Sequence, residues 1–430
     1  MEGTPILQLA LDFLDLPRAL AVAEEAVRGG VDWLEAGTPL IKSEGLEAVR
    51  QLKRRWPERT IVADLKTMDA GRFEMESAAK AGAGIAGVLG AASDSTILEC
   101  IEVARNYGLE VMVDMIEVPD IAQRARQAEE MGANYIGIHT AIDQQMRGLA
   151  PFDLIREVKE AVSIPVAVAG GINSETAAEA ASAGADIIVV GGAIIKAADA
   201  EGAAREIRRA IDTQKPVSTA LYKRATAATI RTVLEMVSTA NISDAMHRGG
   251  EIPGLRPVFP GIKMAGQAVT VRTFPGDWAK PVEAIDRAGE GDVLVIDAGG
   301  AGPAVWGELA THSARERGLA GVVIHGAVRD TPEIMDLKFP VFASSVTPTA
   351  GEPKGFGEIN VPVVVSRVKI YPGDWLAGDD DGLVVLSKAK AAEVANRAMD
   401  VLERENRLRK EIQDGSTLSQ VAYLEKWEKT

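Results

Sequence analysis

Eight short apolar segments, each followed by an amphipathic stretch, constrain the fold of the first half of the chain. They are ILQLALD (6–12), VDWLEAG (31–37), TIVADLK (60–66), GIAGVLG (84–90), EVMVDMI (110–116), YIGIHT (135–140), PVAVAGG (165–171) and DIIVVGG (186–192). Continuous apolar strands of this kind are typical of a parallel sheet that helices cover. The repeated strand–helix units therefore predict an α/β fold, a compact (β/α)₈ TIM barrel. A doubly wound open sheet is the alternative, but no glycine-rich dinucleotide motif follows the first segment.

The chain divides near residue 213. Residues 1–212 hold 21 basic and 34 acidic residues, whereas residues 213–430 hold 26 and 28. The segment 213–224 has a proline and a Ser/Thr cluster between two helical patterns, which is typical of a linker. A helical pattern and short strands separated by glycine and proline then predict an α/β sandwich with a mixed sheet over 225–413. We expect a polar tail over 414–430.

Composition limits the classes of function. The net charge of −15 disfavours a surface for nucleic acid or an anionic membrane. The single cysteine, Cys100, excludes a disulfide framework and a multi-cysteine metal site, and its helical pattern ILECIEVA predicts a small core residue. No apolar run reaches the ~18–20 residues of a membrane span, and the N-terminus lacks the basic region of a signal peptide. We therefore expect a cytoplasmic protein.

Ionisable side chains follow the predicted barrel strands. In a (β/α)₈ barrel the active site is built at the carboxyl ends of the strands. These ends carry Asp12, Glu35, Asp64, Lys66, Asp69, Asp114, Glu117 and His139. Ordinary solvated loops would not place acids and one of only four histidines there so regularly. We expect these side chains to form an active site.

Glycine pairs end the last two predicted strands, as Gly170-Gly171 and Gly191-Gly192. After strands seven and eight of such barrels, backbone N–H groups and a short helix N-terminus commonly hold a phosphate. Glycine lets the main chain approach the phosphate oxygens closely. Either pair alone is compatible with ordinary turn chemistry, but together they predict a phosphorylated substrate.

The segment DLKTMDAG (64–71) has the most specific spacing. Asp64 and Lys66 share one face of a strand end, and Asp69 follows at a helix start. Two carboxylates keep the lysine cationic, which suits stabilisation of a developing enediolate oxyanion. Glu35 and Asp64 lie on adjacent strands and offer the hard oxygen ligands that favour Mg²⁺ (or Mn²⁺) over zinc. The alternative is a structural ion-pair network at the barrel mouth.

The barrel segments resemble a known family. LQLALDFLDLPRAL, EAGTPLIKSEG, DLKTMDAG, VDMI, HTAIDQQ, VAVAGGI and VVGGAI are similar to 3-hexulose-6-phosphate synthases of the orotidine-monophosphate-decarboxylase superfamily. The resemblance covers essentially residues 1–212. It implies a Mg²⁺-dependent aldol reaction between formaldehyde and ribulose 5-phosphate that yields D-arabino-3-hexulose 6-phosphate, or the reverse. The related 3-keto-L-gulonate-6-phosphate decarboxylases are the alternative, but HTAIDQQ lacks the basic run that typically follows their histidine.

The resemblance also implies roles for individual residues. Glu35 and Asp64 match metal ligands, with Asp114 a further candidate ligand. Lys66 matches the lysine that stabilises the enediolate, and His139 matches the residue placed for proton transfer at C1. Asp12 completes the predicted catalytic set, Asp69 matches the aspartate that such dimers donate into the neighbouring site, and Gly170, Gly171, Gly191 and Gly192 match the phosphate-binding turns.

The strongest signal in the second domain is the Arg329-Asp330 pair at a predicted strand end. A guanidinium can bind a substrate carboxylate, and the acid can bind a divalent ion. GDVLVIDAGG, AVWGELAT, GLAGVVIHGAVRD and VKIYPGDWLAGDDDGLVVL resemble the family named for the regulator of ribonuclease E activity A (RraA), which includes 4-hydroxy-4-methyl-2-oxoglutarate aldolases. The resemblance spans roughly residues 232–413 and implies an RraA-like α/β sandwich.

This second resemblance makes Asp330 the metal ligand and Arg329 the substrate-binding residue, with the backbone at Glu308 and Leu309 beside the substrate oxygens. Glu308 replaces the aspartate of the aldolase members, so a standard pyruvate aldolase activity does not follow. We favour a metal-dependent site over the alternative, a regulatory or assembly role such as contact with a ribonuclease. The near-neutral second half gives no support to direct RNA binding. The family tends to form trimers, so a dimeric barrel and a trimeric second domain together would close as a D3 homo-oligomer.

The remaining polar motifs are weaker. His247 lies in a glycine-rich turn, and His312 and His325 flank the predicted second site. We expect a structural role for each. Asp379, Asp380 and Asp381 resemble a metal cluster but more simply predict a turn before the strand GLVVLSK.

Overall fold

The computed structural model of the chain describes residues 4–140, 152–219, 224–226, 228–422 and 424. Contacts within the chain define two compact units. The first unit comprises Met1–Tyr222 with Glu403–Thr430, and the second unit comprises Lys223–Leu402.

Parallel strands of the first unit close into the predicted barrel. They are β1 (Ile6–Leu11), β2 (Trp33–Ala36), β3 (Ile61–Thr67), β4 (Ile85–Leu89), β5 (Glu110–Asp114), β6 (Tyr135–His139), β7 (Val166–Ala169) and β8 (Ile187–Val190). Each strand pairs with the next, and β8 pairs with β1 to complete the ring. The closed barrel confirms the predicted fold and excludes the open sheet, because an open sheet would leave β1 and β8 as edges.

Helices follow the strands and bury one apolar face each. They are α1 (Leu16–Arg28), α2 (Thr38–Glu44), α3 (Glu47–Arg55), α4 (Gly71–Ala81), α5 (Asp94–Tyr107), α6 (Ile121–Met131), α7 (Phe152–Ala161), α8 (Ala177–Ser182), α9 (Gly192–Ile195) and α10 (Ala200–Thr213). Polar caps mark several helix starts; Asp15, for example, accepts the backbone N–H of Arg18 at 2.8 Å. Cys100 of α5 is buried as expected, and burial raises the pKa of its thiol to about 12.

Two apolar layers hold the barrel together. One lies between strands and helices and includes Leu7, Leu34 and Val111. The other fills the interior of the ring with Ala10, Val62, Ile85, Met112, Ala167, Ile187 and Val189. The barrel is therefore packed rather than hollow. Most of the polar side chains of the barrel interior lie at the carboxyl ends of the strands, and Gln8 within β1 contacts Glu35 of β2.

The second unit is built on a mixed sheet, as predicted. Its strands are β9 (Arg256–Pro257), β10 (Met264–Arg272), β11 (Val293–Asp297), β12 (Ala304–Trp306), β13 (Gly321–Val328), β14 (Val341–Val346), β15 (Glu358–Ile359), β16 (Val363–Val365), β17 (Val368–Ile370), β18 (Trp375–Asp379) and β19 (Gly382–Leu386). The main order is β19-β18-β10-β11-β13-β14-β9. The four strands β10, β11, β13 and β14 are parallel, and β18, β19 and β9 pair in antiparallel fashion.

The helices of the second unit complete the sandwich. They are α11 (Ile230–Met236), α12 (Thr239–Ala245), α13 (Ala279–Ile285), α14 (Glu308–Glu316) and α15 (Thr331–Asp336), followed by α16 (Ala391–Gln413), which runs past the end of this unit, and α17 (Leu418–Val421), which belongs to the first unit. Buried residues on both sides of the sheet form its cores, with Ile324 on one side and Val323 on the other.

Local predictions for the second unit were partly wrong. The apolar stretch VPVVVSRVKIYPGD (361–374) predicts one strand, but it forms the hairpin β16–β17, with Ser366 and Arg367 at φ of 46° and 75°. The segment AVWGELATHSARERG predicts a helix from residue 304, but the helix begins only at Glu308, because residues 304–306 pair with β13 as β12. Strand β18 was not anticipated. In each case pairing with another strand decided the backbone conformation, and local pattern does not reveal such partners.

The aspartate run forms the predicted turn, between β18 and β19. Asp379 accepts hydrogen bonds from the backbone N–H and hydroxyl of Thr239, at 2.8 and 2.6 Å. Asp380 accepts the N–H of Gly261. These carboxylates therefore secure loops in the structure. In the described part of the chain, no helix is both long and apolar enough to cross a lipid bilayer.

Candidate active site

Lys66 is surrounded by carboxylates at the carboxyl end of the barrel. Its Nζ lies 2.9 and 3.1 Å from the two carboxylate oxygens of Asp64 and 3.4 Å from Oδ2 of Asp114. Burial opposes the charge of the ammonium group, but the two carboxylates outweigh that cost and raise the pKa of Lys66. The lysine is consequently a fixed cation at the barrel mouth.

An irregular strand end presents this pair. The pairing of β3 with β4 shifts register between Ala63 and Thr67, and Lys66 has a left-handed φ of 49°. Such a bulge re-aims the side chains at a strand end. The Thr38 hydroxyl, 2.7 Å from Oδ2 of Asp64, fixes the carboxylate from the neighbouring α2. The predicted common face of Asp64 and Lys66 therefore results from a break in the strand.

Asp114 links Lys66 to His139. Its Oδ2 lies 3.2 Å from Nδ1 of His139, and its Oδ1 accepts the N–H of Ile116 at 2.9 Å. Burial opposes ionisation of Asp114, but the hydrogen bond and charge of His139, with the charge of Lys66, lower its pKa overall. A carboxylate on Nδ1 favours the tautomer that leaves Nε2 as the proton acceptor. His139 thus has the arrangement of an oriented base.

Two further carboxylates lie close to this cluster. Glu35 is only 8% exposed, and the amide nitrogen of Gln8 donates a hydrogen bond to it. Burial, together with the charges of Asp64 and Asp12, raises the pKa of Glu35 well above its usual range. Burial and the charge of Asp64 likewise raise the pKa of Asp12. The site therefore holds more negative charge than Lys66 balances.

This excess charge fits a hard divalent cation. Among the described residues, no three Asp, Glu, His or Cys side chains converge as a ready-made metal site. Mg²⁺ commonly takes only one or two carboxylates and completes its shell with water and substrate oxygens. Glu35 and Asp64 are the pair that fits this pattern. Both oxygens of Asp64 and both oxygens of Asp114 already accept hydrogen bonds, so a metal at either carboxylate would compete with a partner that is present.

The predicted phosphate-binding glycines end β7 and β8. Gly170 and Gly171 have φ of 109° and 71°, which favour glycine. Gly191 and Gly192 begin the single turn α9. Asp69 lies apart from the cluster: it is exposed, and its carboxylate caps the N–H of Ala70 at 2.7 Å. The structure therefore brings Asp12, Glu35, Asp64, Lys66, Asp114 and His139 together, and Asp69 faces solvent in the single chain.

Three neighbours of the site were missed by sequence reasoning. Gln8 contacts Glu35, Thr38 contacts Asp64, and the ammonium group of Lys196 lies beside Gly192. Gln8 was the detectable one, because it is a polar residue inside an otherwise apolar strand and is only 1% exposed. Thr38 and Lys196 have no comparable signal in sequence.

In the second unit, Asp330 and Arg329 lie at the start of α14. Oδ2 of Asp330 accepts the N–H of Glu308 at 3.2 Å and lies 3.3 Å from Nε of Arg329. Asp330 has a left-handed φ of 58°. A Cβ on Gly307 would lie 2.5 Å from the same carboxylate, so glycine is needed there. Asp330 thus contacts the backbone of residue 308.

The side chain of Glu308 points elsewhere. Its Oε1 lies 3.3 Å from Nε2 of His312, one turn along α14. Leu309 is 78% exposed. His325 pairs with Asp297, Nδ1 to Oδ1 at 3.1 Å, on the adjacent strand. Both of these histidines have acidic partners, and His247 lies in a turn with φ of 55°.

Comparison with known proteins identifies both parts of the chain. The family described as Orotidine 5′-phosphate decarboxylase / HUMPS matches residues 5–207, and the RraA-like family described as Aldolase/RraA matches residues 239–385. The 3-hexulose-6-phosphate synthase of Methylomonas aminofaciens is 45% identical over 201 residues, which cover 46% of this chain and 96% of the relative. Both predicted resemblances are confirmed.

Solved structures match the same two parts. The crystal structure of 3-hexulose-6-phosphate synthase from Salmonella typhimurium has 40% sequence identity and a TM-score of 0.47, covering 49% of this chain and 99% of that one. The RNA-processing inhibitor RraA from Thermus thermophilis has 35% identity and a TM-score of 0.33, covering 34% of this chain and 91% of that one. The chain belongs, through its barrel, to the 3-hexulose-6-phosphate synthase group of the orotidine 5′-phosphate decarboxylase / HUMPS family, and it continues into an RraA-like domain.

Proposed function

We propose that the barrel is an aldehyde-lyase that interconverts ribulose 5-phosphate plus formaldehyde with D-arabino-3-hexulose 6-phosphate. The observation that carries this proposal is the shared carboxylate of Asp114, which holds the cation Lys66 and the base His139 side by side. The reaction requires both groups, because it removes a proton and stabilises the resulting oxyanion. The identity of the barrel to named synthases supports the same assignment.

The first step is proton removal at C1 of the ketose phosphate. Nε2 of His139 takes the proton, and Asp114 stabilises the imidazolium that results. The electrons of the broken C–H bond pass into an enediolate. Lys66, kept cationic by Asp64 and Asp114, stabilises the negative oxygen.

The second step forms the carbon–carbon bond. C1 of the enediolate attacks the carbon of formaldehyde, and the C2 carbonyl of the ketose re-forms. The carbonyl electron pair of formaldehyde moves to its oxygen, which takes the proton from the His139 imidazolium and regenerates the neutral base. In the reverse direction the same groups cleave this bond and release formaldehyde. A Mg²⁺ ion held by Glu35 and Asp64 would supply Lewis-acid polarisation of the ketose oxygens.

The test is formaldehyde consumption by the full chain with ribulose 5-phosphate, measured with Mg²⁺ and with a chelator. We expect Lys66→Ala to lower the rate by about 10²-fold or more, because a preorganised cation is lost. Lys80→Ala is the matched control, since Lys80 pairs with Glu76 on the exposed face of α4. Equal rates in Lys66→Ala and wild type would contradict the proposal. Release of CO₂ from 3-keto-L-gulonate 6-phosphate without formaldehyde consumption would replace it with the decarboxylase.

We propose that the barrel acts as a homodimer that shares Asp69 between subunits. Asp69 is exposed, and the nearby apolar side chains Met68 and Phe73 are 53% and 72% exposed. Mixing Asp69→Ala with Lys66→Ala subunits tests this arrangement. If Asp69 acts in the neighbouring site, random mixed dimers regain about a quarter of wild-type activity, since one site in each mixed dimer is intact. No recovery on mixing, with exchange verified by mass, would contradict it.

For the second unit we propose a divalent-metal site at Asp330 with Arg329 as the anchor for a substrate carboxylate. Support comes from their 3.3 Å contact at the start of α14 and from the RraA-like family. Mn²⁺ binding to the full chain, followed by electron paramagnetic resonance, should lose one site in Asp330→Asn. Unchanged Mn²⁺ stoichiometry would instead favour the regulatory or assembly role. A cytoplasmic location and the D3 assembly stay predictions.

A further inference from the structure

Lys196 lies beside one of the two glycine turns at the barrel mouth. It is half-buried and directly follows the single turn α9. Its Nζ is 3.1 Å from the position that a Cβ on Gly192 would occupy, so the ammonium group lies beside that glycine. The same charge offsets a small part of the rise that burial and Asp64 impose on the pKa of Asp12, whose Oδ2 lies 3.5 Å from the Cβ position of Gly191. The charge of Lys196 therefore acts on both Asp12 and the glycine turn.

A phosphate at this turn needs a cation. A phosphate monoester carries about −1.5 to −2 charges at pH 7. Burial and the neighbouring charge of Asp64 already raise the pKa values of Asp12 and Glu35, so the site disfavours further negative charge. Glycine N–H groups donate hydrogen bonds but carry no net charge, and α9 has only four residues, so its dipole contributes little.

We infer that Lys196 is the phosphate-binding cation of the barrel and sets its preference for phosphorylated over unphosphorylated ketoses. The inference rests on the proposed function for the identity of the substrate. The ammonium group contacts the phosphate oxygens on one side and shields the phosphate from Asp12 on the other. Lys66, by contrast, stabilises the oxyanion that forms beside the reacting carbon atoms.

Gly192 belongs to the same proposed phosphate site. An alanine Cβ would lie 3.1 Å from Nζ and 3.3 Å from Cε of Lys196. The end of the lysine side chain would have to shift by a few tenths of an ångström. Gly192→Ala is therefore expected to weaken phosphate binding in the same direction as removal of the lysine.

The experiment compares Lys196→Gln, Lys196→Arg and the control Lys80→Gln in the full chain. For Lys196→Gln we expect the KM for ribulose 5-phosphate and the inhibition constant of inorganic phosphate to rise together by about ten- to hundredfold, because one charge-assisted hydrogen bond is lost. The kcat should change much less. Lys196→Arg should recover most of the affinity, and Lys80→Gln should match wild type.

Three outcomes would overturn the inference. One is an unchanged KM and phosphate inhibition constant in a folded Lys196→Gln protein. Another is a fall in kcat alone, which would show that Lys196 acts on the charge of Asp12 and does not bind phosphate. If wild type makes no hexulose phosphate, the proposed function fails, and calorimetric titration with inorganic phosphate then tests the role of Lys196 alone. Weaker phosphate binding by Lys196→Gln than by wild type supports the inference, and equal binding overturns it.

Discussion

At the scale of single residues, neighbours divide the barrel carboxylates into two electrostatic groups. Contact with His139 and Lys66 lowers the pKa of Asp114 despite its burial. Glu35 and Asp12 are buried beside other acids, and their pKa values rise. Opposed shifts of this kind are typical of sites that perform acid–base chemistry. Acids with raised pKa values lower the stability of the folded state when they ionise, because burial of a charged carboxylate is unfavourable.

We expect Glu35→Gln to stabilise the fold at pH 7 while it lowers activity. The folded protein binds the Glu35 proton more tightly than the unfolded chain does, so wild-type stability falls as pH rises from 4.5, the ordinary value, through the raised folded pKa. Each unit of upward shift costs about 1.4 kcal/mol above that window. A glutamine removes this charge, and its amide can donate to Oε1 of Gln8, which has no hydrogen-bond partner among the described residues.

The measurement is thermal unfolding of wild type and Glu35→Gln between pH 4 and pH 8. The stabilisation should grow with pH and should be smallest near pH 4. Glu99→Gln is the control, because Glu99 is exposed on α5. A stability difference that does not depend on pH would show that Glu35 is not held at a raised pKa.

At the scale of elements, regular patterns were predictable and irregular backbone was not. The apolar runs of β1 to β8 identified the barrel strands, because a buried parallel strand must be apolar on both faces. The break in β3 that presents Lys66 and the turn of the β16–β17 hairpin have no such signature. Both use non-glycine residues at positive φ, which sequence propensities disfavour.

Arg367→Gly should stabilise the second unit. Arg367 is exposed and holds φ of 75° in a two-residue hairpin turn, where glycine avoids the steric cost of the left-handed region. We expect the free energy of unfolding to rise by about 0.5–1 kcal/mol, measured by chemical denaturation. Val364→Gly, on the exposed face of β16, should lower it by a similar amount. Destabilisation by both variants would refute the turn argument.

At the scale of the whole molecule, each unit has its own apolar core. The barrel cores contain residues of the first unit, and the sheet cores contain residues of the second. The two families that match the chain follow the same division. Separate cores imply that each unit can unfold as its own cooperative structure.

Calorimetry of the full chain should therefore show two unfolding transitions, with ribulose 5-phosphate raising the midpoint of the barrel transition alone. Saturation at about 100 times the Kd stabilises a binding unit by about 2.7 kcal/mol. Ribulose without the phosphate is the control ligand and should shift the transition much less at equal concentration. An equal shift of both transitions would show that the units unfold together.

The sequence by itself determined the barrel, the presence of an RraA-like part and the identity of the acids at the strand ends. The barrel and its acids follow from apolar periodicity and from the rule that parallel strands bring their carboxyl ends to one edge. The DLKTMDAG spacing also indicated Lys66, because Asp64 lies only two residues away.

Only the tertiary structure decided how these residues interact. It separated Asp69 from the acid cluster, gave Gln8 and Thr38 their contacts with Glu35 and Asp64, and turned the Glu308 side chain toward His312. It also placed Lys196 beside Gly192. The physical reason is that side-chain direction and pKa depend on neighbours from other strands and on local burial, and neither quantity is encoded by spacing along one strand.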